Sequence, residues 1–389
     1  MESNIGLFNE CFPPVMDGVS ICVQNYAYWM AEKVPGVSVI FPKNNGVDYS
    51  GRKYEVLQYM SVPVPFREPY KTGIAEVDPA FLAKLVKRPF KIVHAHSPFA
   101  SGRAASHVAK LRGIPMVATF HSKYRDDFSR VISSEKLVDG VIKLIVEFYE
   151  RADEVWVPQE SVIEVLREYG YKGPVEVVAN GSDLVEDYSD AYFADARKAL
   201  GIAPEEFVFL FVGQHIWEKN VKMVINGLER IKDIPFRMFF VGTGYAAAEM
   251  KEMVAQKGLD RQVTFVGTVT DRKKIKQYYA ASDLFLFPSL YDTDGLVVKE
   301  AAALHSPSVM LSTATASRIL TDGQDGFVVP DDLDAFAGKL RELIHDPERV
   351  RRVGIQASRS LVRSWQDVVD EVLDRYNRII ARRTLIPLP

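Results

Sequence analysis

The chain has 389 residues, of which 47% are apolar and 25% are charged, and its formal net charge at pH 7 is −3. This length predicts two domains of ordinary size, and the near-neutral charge argues against a nucleic-acid-binding protein, which would usually be basic. The two cysteines, Cys11 and Cys22, do not pair with histidines at metal-site spacing, so we expect reduced thiols in a cytoplasmic protein.

The N-terminal sequence MESNIGLFNECF lacks a basic region followed by a long apolar run, which argues against a signal peptide. No run of 18 consecutive apolar residues occurs, so we expect no transmembrane helix.

Short apolar runs rich in β-branched and aromatic residues alternate along the chain with longer amphipathic segments. Most runs are continuously apolar, which is typical of parallel strands covered by helices on both faces. Predicted helices between them include 219–232 and 332–345. The predicted strands are 4–10, 37–42, 91–96, 115–121, 154–159, 175–180, 207–213, 237–242, 263–268, 284–289, 308–312 and 326–330. This alternation predicts an α/β fold built from parallel βαβ units.

The alternation stops and restarts near residues 183–203, an acidic segment without an obvious strand. We therefore predict an N-terminal Rossmann-like domain, 1–185, and a C-terminal one, 186–363. The remaining segment, 364–389, has apolar residues at a 3.6-residue period and is predicted to be a helix. Ligands of such domains bind at the carboxyl ends of the strands, so the loops after strands are the places to search for chemistry.

In the first half, the loop after the first strand places Gly18 near the start of a helix, where backbone N–H groups favour phosphate. A plain turn explains this glycine equally well. His121 ends a predicted strand and would face the ligand crevice, unless it is a capping or surface histidine. His94 and His96 share one face of a strand, but no third metal ligand is evident, so we expect no metal site there.

In the second half, Gly213 follows a strand and Lys219 begins a helix, where its ammonium group would neutralise a diphosphate. Gly242 lies at another strand–glycine–helix junction, VGTGYAAAE. This junction lacks the third glycine of the dinucleotide-binding fingerprint, and no Walker A lysine motif occurs in the chain. A dehydrogenase and a P-loop nucleotidase are therefore not favoured.

The segment SLYDTDGLVVKE, residues 289–300, follows a predicted strand and enters a helix at Gly295. Asp292 and Asp294 resemble a paired-carboxylate metal site. Asp292 and Glu300, in contrast, could both reach a sugar nucleotide bound at the helix N-terminus, whose free N–H groups hold hydroxyl or phosphate oxygens. A surface acidic turn is the third interpretation.

A basic run without any acidic residue extends from 79 to 125. It is either a solvated face or a surface for an anionic partner. Its nine cationic residues are Lys84, Lys87, Arg88, Lys91, Arg103, Lys110, Arg112, Lys123 and Arg125. Arg103, His107 and Lys110 would share one face of a helix. Three aromatic residues lie among the basic ones: Phe81, Phe90 and Phe99.

Taken together, several motifs resemble the retaining glycosyltransferases of family 4, which have the GT-B fold. They are PPVMDGVS, HAHSPFASG, ATFHSKY, VPQES, VANGSD, VGQHIWEKN, VGTG, VTFVGTV and PSLYDTDGLVVKEAAALHSPSV. The resemblance covers nearly the whole chain. It implies two Rossmann-like domains facing across a cleft, with the C-terminal helix crossing back to the N-terminal domain, and a nucleoside-diphosphate sugar as donor.

The resemblance also implies roles for individual residues. Glu300 would bind the ribose hydroxyls and Asp292 the hydroxyls of the donor sugar. Lys219 would neutralise the diphosphate, Gly18 would contact it from the other domain, and His121 would lie beside the reaction centre. No metal or other cofactor is implied. The remaining donor-binding residues would be Gly213, Gln214, Gly242, Val269, Asp294, Gly295, Leu296 and Val297.

The sequence departs from the family pattern at three positions. Gln214 stands where an arginine is usual, Asp292 replaces a glutamate, and His305 replaces a glycine. The missing arginine removes one of two cationic phosphate contacts, and we expect Arg125 or Lys123 to compensate for it.

The ATFHSKY segment is similar to that of family members that glycosylate diacylglycerol or ceramide. The resemblance therefore implies a UDP-glucose or UDP-galactose donor, a lipid acceptor, an α-glycoside product and a peripheral position on the inner face of an anionic plasma membrane. A soluble sugar-phosphate or polysaccharide acceptor, and a non-catalytic nucleotide-sugar-binding protein, stay open as alternatives. The predicted acceptor or membrane residues are Lys84, Lys87, Arg88, Arg103, Lys110 and Lys123.

Overall fold

In a computed structural model of the protein, the described residues are 4–15, 17–64 and 71–385. Met16 of the motif PPVMDGVS and the last four residues of the predicted helix 364–389 lie outside them. The chain forms two compact units, the first comprising Met1–Asn180 with Trp365–Pro389 and the second comprising Gly181–Ser364. Within the described ranges, no helix is both long and apolar enough to cross a membrane.

The first unit is built on a seven-stranded parallel sheet in the order β3-β2-β1-β6-β7-β8-β9. Strands β4 and β5 form a separate antiparallel pair. The strands are β1 Ile5–Phe8, β2 Val37–Pro42, β3 Glu55–Tyr59, β4 Ser61–Pro63, β5 Lys71–Gly73, β6 Ile92–Ala95, β7 Met116–Thr119, β8 Glu154–Val157 and β9 Glu176–Val177. Every residue of β1, β2, β6 and β7 is buried, as expected for strands covered on both faces.

The helices of this unit are α1 Gly18–Lys33, α2 Pro79–Lys87, α3 Ala100–Arg112, α4 Tyr124–Ser129, α5 Glu135–Tyr149 and α6 Ser161–Glu168, with a 3₁₀ turn at Ala75–Val77. A capping box fixes the start of α1. The Ser20 N–H donates a hydrogen bond of 2.7 Å to the Asp17 carboxylate, and the Asp17 N–H donates one of 3.1 Å to the Ser20 hydroxyl oxygen. Gly18 is therefore the first residue of the helix.

The second unit has a six-stranded parallel sheet in the order β12-β11-β10-β13-β14-β15. Its strands are β10 Val208–Val212, β11 Arg237–Val241, β12 Val263–Gly267, β13 Leu284–Leu286, β14 Ser308–Leu311 and β15 Phe327–Val329. Its helices are α7 Asp190–Ala199, α8 Val221–Arg230, α9 Ala247–Gln256, α10 Arg272–Ala281, α11 Leu296–Ala303, α12 Leu333–Ile344 and α13 Pro347–Ser360, with 3₁₀ turns at Trp217–Lys219 and Thr315–Ile319.

The last helix, α14 Trp365–Leu385, belongs to the first unit and packs against α1, as expected for a helix that crosses back. Its apolar stripe includes Trp365, Val372 and Tyr376, all buried. The Tyr376 ring stacks on Trp156 of β8 at a centroid distance of 5.7 Å. The 3.6-residue period of the sequence therefore identified the face that packs on the sheet.

All twelve predicted strands are present, mostly shorter by one to three residues, and the predicted parallel α/β class is confirmed. Among the described residues, three strands were not predicted. β3 is the edge strand of its sheet and alternates between buried and partly exposed residues, while β4 and β5 have only three residues each. None of the three has the continuous apolar run that marks a central parallel strand.

Candidate functional site

The loop after β13 brings Asp292 against Lys219, two residues that are 73 positions apart in the sequence. The two side chains form a close ion pair, and the Ser289 hydroxyl donates a hydrogen bond of 2.5 Å to the other Asp292 oxygen. The Lys219 ammonium also lies 5.5 Å from the centre of the Phe287 ring and 5.7 Å from that of Tyr291. This largely buried cation is therefore held by one carboxylate and two aromatic faces.

Glu300 lies on α11 and is 7% exposed. Its carboxylate accepts hydrogen bonds from the Arg272 guanidinium at 2.8 Å and from the Tyr279 hydroxyl at 2.7 Å. Arg272 also binds Asp183. Burial opposes the charge of the guanidinium, but the Glu300 and Asp183 carboxylates outweigh it and raise the pKa of Arg272 above its ordinary value. The predicted ribose-binding carboxylate is thus part of a four-residue network.

Asp294 does not share a site with Asp292. Its carboxylate lies 2.7 Å from the Lys299 ammonium, and both side chains are 6% exposed. Since each aspartate binds a different lysine, the paired-carboxylate metal interpretation finds no support in this loop. Across the described parts of the chain, a grouping of three metal-ligating side chains occurs elsewhere, in the first unit.

The loop ends at Gly295, whose φ of +64° is in the left-handed region, and α11 begins at the next residue. Glycine adopts this conformation without the steric cost that a Cβ imposes. Leu296 and Val297 are the first two residues of the helix, where backbone N–H groups have no intrahelical acceptor and the helix dipole favours an anion. The predicted anion-binding backbone is therefore at a helix N-terminus.

The loops after β10 and β11 pack against each other through their backbones. The Gly213 N–H donates to the Val241 carbonyl at 3.0 Å, and the His215 N–H donates to the Thr243 carbonyl at 2.9 Å. A Cβ on Gly242 would lie 1.9 Å from the Gly213 carbonyl oxygen. The close packing of the two loops therefore requires glycine at position 242, independently of any role in ligand binding. Gln214 lies between the two bonded residues, and Val269 lies just beyond the end of β12.

His305 connects α11 to β14 with a φ of +60°. Left-handed backbone is costly for residues other than glycine, which explains why glycine is usual at this position. The imidazole stacks on the Phe193 ring at 4.9 Å, and this contact offsets part of the strain.

In the first unit, His121 follows β7 and is 8% exposed. Its Nε2 lies 3.0 Å from Nδ1 of His96, which follows β6. His94 does not pair with His96 for ligand binding, because its ring nitrogens lie 2.6 Å from the Tyr376 hydroxyl and 2.7 Å from the Thr119 hydroxyl. It is a core residue. The expectation that no third ligand is available to His96 was wrong, because Cys22 lies close to both His96 and His121.

In the structure, part of the basic run is buried, and some of its positive charges are balanced by carboxylates. Arg103 binds Glu76 at 2.9 Å and the Arg88 Nε binds Glu55 at 2.8 Å, so these two predicted acceptor residues have carboxylate partners from outside the run. The predicted aromatic-bearing surface is also wrong in part, since Phe81 and Phe90 are both only 3% exposed and pack in the core. The apolar face of α2, which includes Phe81, packs against the core.

Lys84, Lys87 and Lys110 are exposed, as a membrane surface would require, whereas Lys123 is partly buried. Arg125, one of the two cations expected to compensate for Gln214, binds Asp139 at 2.7 Å. That ion pair makes it less available as a phosphate ligand.

A further exposed surface that was not predicted lies on α5 and combines lysines with leucines; we call it the α5 face: Lys136, Leu137, Lys143 and Leu144. All four side chains are exposed, and Leu137 and Leu144 are 63% and 65% exposed. The seven-residue spacing within each pair places them on one side of the helix, and this spacing is the signal that could have identified them. Arg272 and Tyr279, also missed, are likewise seven residues apart on α10.

Comparison with known proteins agrees with this architecture. The model of the group 1 glycosyl transferases matches residues 193–360, and that of glycosyltransferase family 4 matches residues 16–186. The alpha-monoglucosyldiacylglycerol synthase of Streptococcus pneumoniae is 22% identical over 353 residues, which cover 88% of this chain and 79% of that protein.

Two solved structures share the fold. Sucrose-phosphate synthase from Thermosynechococcus elongatus has a TM-score of 0.81 at 20% identity, covering 98% of this chain and 100% of its own. HepE from Anabaena, in complex with UDP and glucose, has a TM-score of 0.78 at 18% identity, covering 96% of this chain and 99% of its own. The predicted GT-B fold is thereby confirmed, and the chain belongs to the group 1 glycosyltransferases of family 4, enzymes of the hexosyltransferase type.

Proposed function

We propose that this glycosyltransferase moves a hexose, with retention of configuration, from a UDP-sugar to a hydroxyl group of a membrane lipid such as diacylglycerol. The observation that carries the donor half of the proposal is the Lys219–Asp292 ion pair in the loop before α11, together with Glu300 on that helix. Enzymes of this family take a nucleotide sugar as substrate and generally need no metal ion.

The catalytic role of this arrangement follows from where negative charge develops. As the bond to the anomeric carbon breaks, the departing diphosphate gains charge, which the Lys219 ammonium and the N–H groups of Leu296 and Val297 stabilise. The acceptor hydroxyl approaches from the face that the diphosphate leaves, and the departing phosphate oxygen takes its proton. His121 lies beside the reaction centre in this proposal, and no separate protein base is required.

The donor is proposed to be UDP-glucose or UDP-galactose. The structurally similar HepE was solved with UDP and glucose. Glu300 would accept hydrogen bonds from the ribose hydroxyls, which requires it to share or release the Arg272 guanidinium when the nucleotide binds. Asp292, held by Lys219 and Ser289, would bind hydroxyls of the hexose.

The lipid half of the proposal is supported by the name of the S. pneumoniae relative, an alpha-monoglucosyldiacylglycerol synthase, and by the α5 face. On that face, two exposed leucines alternate with two exposed lysines. Apolar side chains that enter the interface of a bilayer, next to cations that attract anionic headgroups, are what peripheral binding requires. The protein would then work at the inner surface of an anionic membrane.

The experiment that tests the proposal is transfer from radiolabelled UDP-glucose and UDP-galactose to diacylglycerol in vesicles, with and without anionic phospholipid. We expect labelled lipid in the organic phase and more of it with anionic vesicles. The double variant Lys136→Glu/Lys143→Glu should lose vesicle binding at low salt but keep donor binding. The charge-matched control Lys172→Glu/Lys198→Glu, at exposed sites on other elements than α5, should behave as the wild type.

The second candidate is a soluble acceptor, which is favoured by the structural similarity to a sucrose-phosphate synthase. Label that enters added hexose phosphates, with none in the lipid phase, would support it and overturn the lipid proposal. Binding of UDP-sugar without transfer or hydrolysis would indicate a non-catalytic binder.

A further inference from the structure

Three side chains with affinity for transition metals converge in the first unit, at the carboxyl edge of its sheet. His96 follows β6 and His121 follows β7, and these strands are neighbours in the sheet. Cys22 lies on α1, the helix that follows β1, and β1 is the other neighbour of β6. Three βα connections that are adjacent in the sheet therefore bring together residues that are 74 and 25 positions apart in the sequence.

The distances within this cluster are close to those of a coordination sphere. One nitrogen of each imidazole and the Cys22 sulfur lie within 4.8 Å of one another, and the two imidazoles approach to 3.0 Å. Ligands of a tetrahedral zinc ion, with bonds of about 2.0–2.3 Å, are roughly 3.5 Å apart. Small side-chain rotations would therefore suffice to close the triangle around an ion.

The surroundings of the cluster favour a metal over a plain hydrogen-bonded core. Nε2 of His96 is buried without a hydrogen-bond partner in the structure as described, an unusual state for a polar atom. The Cys22 thiol donates a hydrogen bond of 3.1 Å to the Asn180 side-chain oxygen, and this bond is given up when the thiol loses its proton to bind an ion.

We propose that Cys22, His96 and His121 bind a Zn²⁺ ion with one coordination position left open, and that the bound ion inhibits glycosyl transfer by occupying His121. Binding releases the Cys22 thiol proton as the sulfur–zinc bond forms, with no change of oxidation state. The set of two imidazoles and one thiolate suits zinc, whereas Mg²⁺ prefers oxygen ligands. The inhibitory half of the proposal rests on the proposed role of His121 in transfer, while the metal site itself does not.

The metal site is tested with Co²⁺ as a spectroscopic substitute for zinc, added to the full-length protein after treatment with a chelator. We expect a thiolate-to-cobalt charge-transfer band in the near ultraviolet, and its displacement by Zn²⁺ but not by Mg²⁺. Cys22→Ser should abolish the band, and His96→Gln should weaken Co²⁺ binding by more than the roughly 10- to 100-fold that the loss of an outer partner costs.

Cys11→Ser is the matched control, because it removes the other cysteine of the chain and should keep the band. Far-ultraviolet circular dichroism of each variant checks that it is folded, and with two independent ligand variants the test does not depend on either one alone. The absence of a band in the wild type, or the same band in Cys22→Ser, would overturn the site.

Inhibition is measured separately, as the fraction of transferase activity that Zn²⁺ removes from each protein and that a chelator restores. We expect loss of most of the wild-type and Cys11→Ser activity and a much smaller fractional loss in Cys22→Ser. Cobalt binding without zinc inhibition would overturn the inhibitory role. A metal-free protein that transfers no sugar at all would contradict the proposed function and leave the cobalt spectrum intact.

Discussion

The Arg272 guanidinium lies 2.8 Å from the Glu300 carboxylate, at the position where that carboxylate is proposed to bind ribose. The Tyr279 hydroxyl binds the other Glu300 oxygen, so both oxygens already have a donor. Glu300 is therefore held in one orientation before a nucleotide arrives. Such pre-organisation lowers the entropic cost of binding.

Replacing Glu300 with glutamine should raise the KM for the UDP-sugar. A hydrogen bond to a charged group contributes about 1.5–3 kcal/mol, which corresponds to a roughly 10- to 150-fold loss in kcat/KM. Steady-state kinetics with varied donor measures this loss. The exposed Glu252→Gln, on α9 of the same unit, serves as the control and should leave KM unchanged. Equal kinetics of Glu300→Gln and wild type would remove Glu300 from the donor site.

Replacing Lys219 with methionine should lower kcat by about 10²- to 10³-fold, the usual cost of losing one group that stabilises developing negative charge. The effect should fall on kcat more than on donor KM, because the charge on the diphosphate grows as the bond breaks. Rapid-quench measurement of a single turnover reports the chemical step.

Lys222→Met is the matched control for this prediction, since Lys222 is exposed three residues further along and its ammonium lies over the Trp217 ring. It should retain nearly the full rate. Similar losses in the two variants would indicate a general effect of charge and not a role of Lys219 at the diphosphate.

The buried Asp294–Lys299 pair should give strongly non-additive stabilities. Asp294→Asn or Lys299→Met alone breaks this buried ion pair, which costs about 3–5 kcal/mol of unfolding free energy. The double variant removes both charges and should be more stable than the sum of the single losses predicts. Urea denaturation of all four proteins measures this coupling, and strictly additive losses would contradict it.

The ion pairs of Asp292 and Asp294 also predict how transferase activity responds to metal removal. Because Asp294 binds Lys299 and Asp292 binds Lys219, we expect transferase activity to survive EDTA. Activity that is lost in EDTA and recovered with Mg²⁺ or Mn²⁺ would restore the hypothesis that the two aspartates bind a metal.

Glu10 should make stability depend on pH. Burial raises the pKa of Glu10 from 4.5 to about 7, although the Ser101 N–H donates to its carboxylate at 2.6 Å and Arg103 lowers it. Since the folded state holds this proton more tightly than the unfolded state, stability is highest below pH 4.5 and falls until about pH 7. The total contribution is at most roughly 3 kcal/mol.

Glu10→Gln removes this titrating group, so the unfolding free energy should change less between pH 4.5 and about pH 7 than it does in the wild type. The variant should therefore gain unfolding free energy over the wild type at pH 8 and lose most of the gain at pH 5. Denaturation at the two pH values is compared with that of Glu168→Gln, an exposed site in the same unit. A Glu10→Gln profile parallel to that of the wild type would be inconsistent with the raised pKa of this partly buried carboxyl group.

The sequence by itself determined the two parallel sheets, because continuously apolar strands must be covered on both faces and amphipathic helices can cover them. It also placed Asp292 in the segment between a strand and the next helix and Glu300 on that helix, whereas Lys219 ends a 3₁₀ turn and does not begin a helix as predicted. These features depend on residues that are close in the chain, so they can be predicted from the periodicity and spacing of residue types. The edge strand β3 was not predicted because three of its five residues are partly exposed.

Only the tertiary structure decided which partners those side chains have. The carboxylates that bind Arg88 and Arg103 come from outside the basic run, Arg272 reaches Glu300 from a different helix, and Cys22 meets His121 through adjacent βα connections. A contact between residues of distant elements depends on strand order and helix packing, which local spacing does not encode. The burial of Phe81 likewise depends on helix packing, because only the packed helix shows which of its faces turns inward.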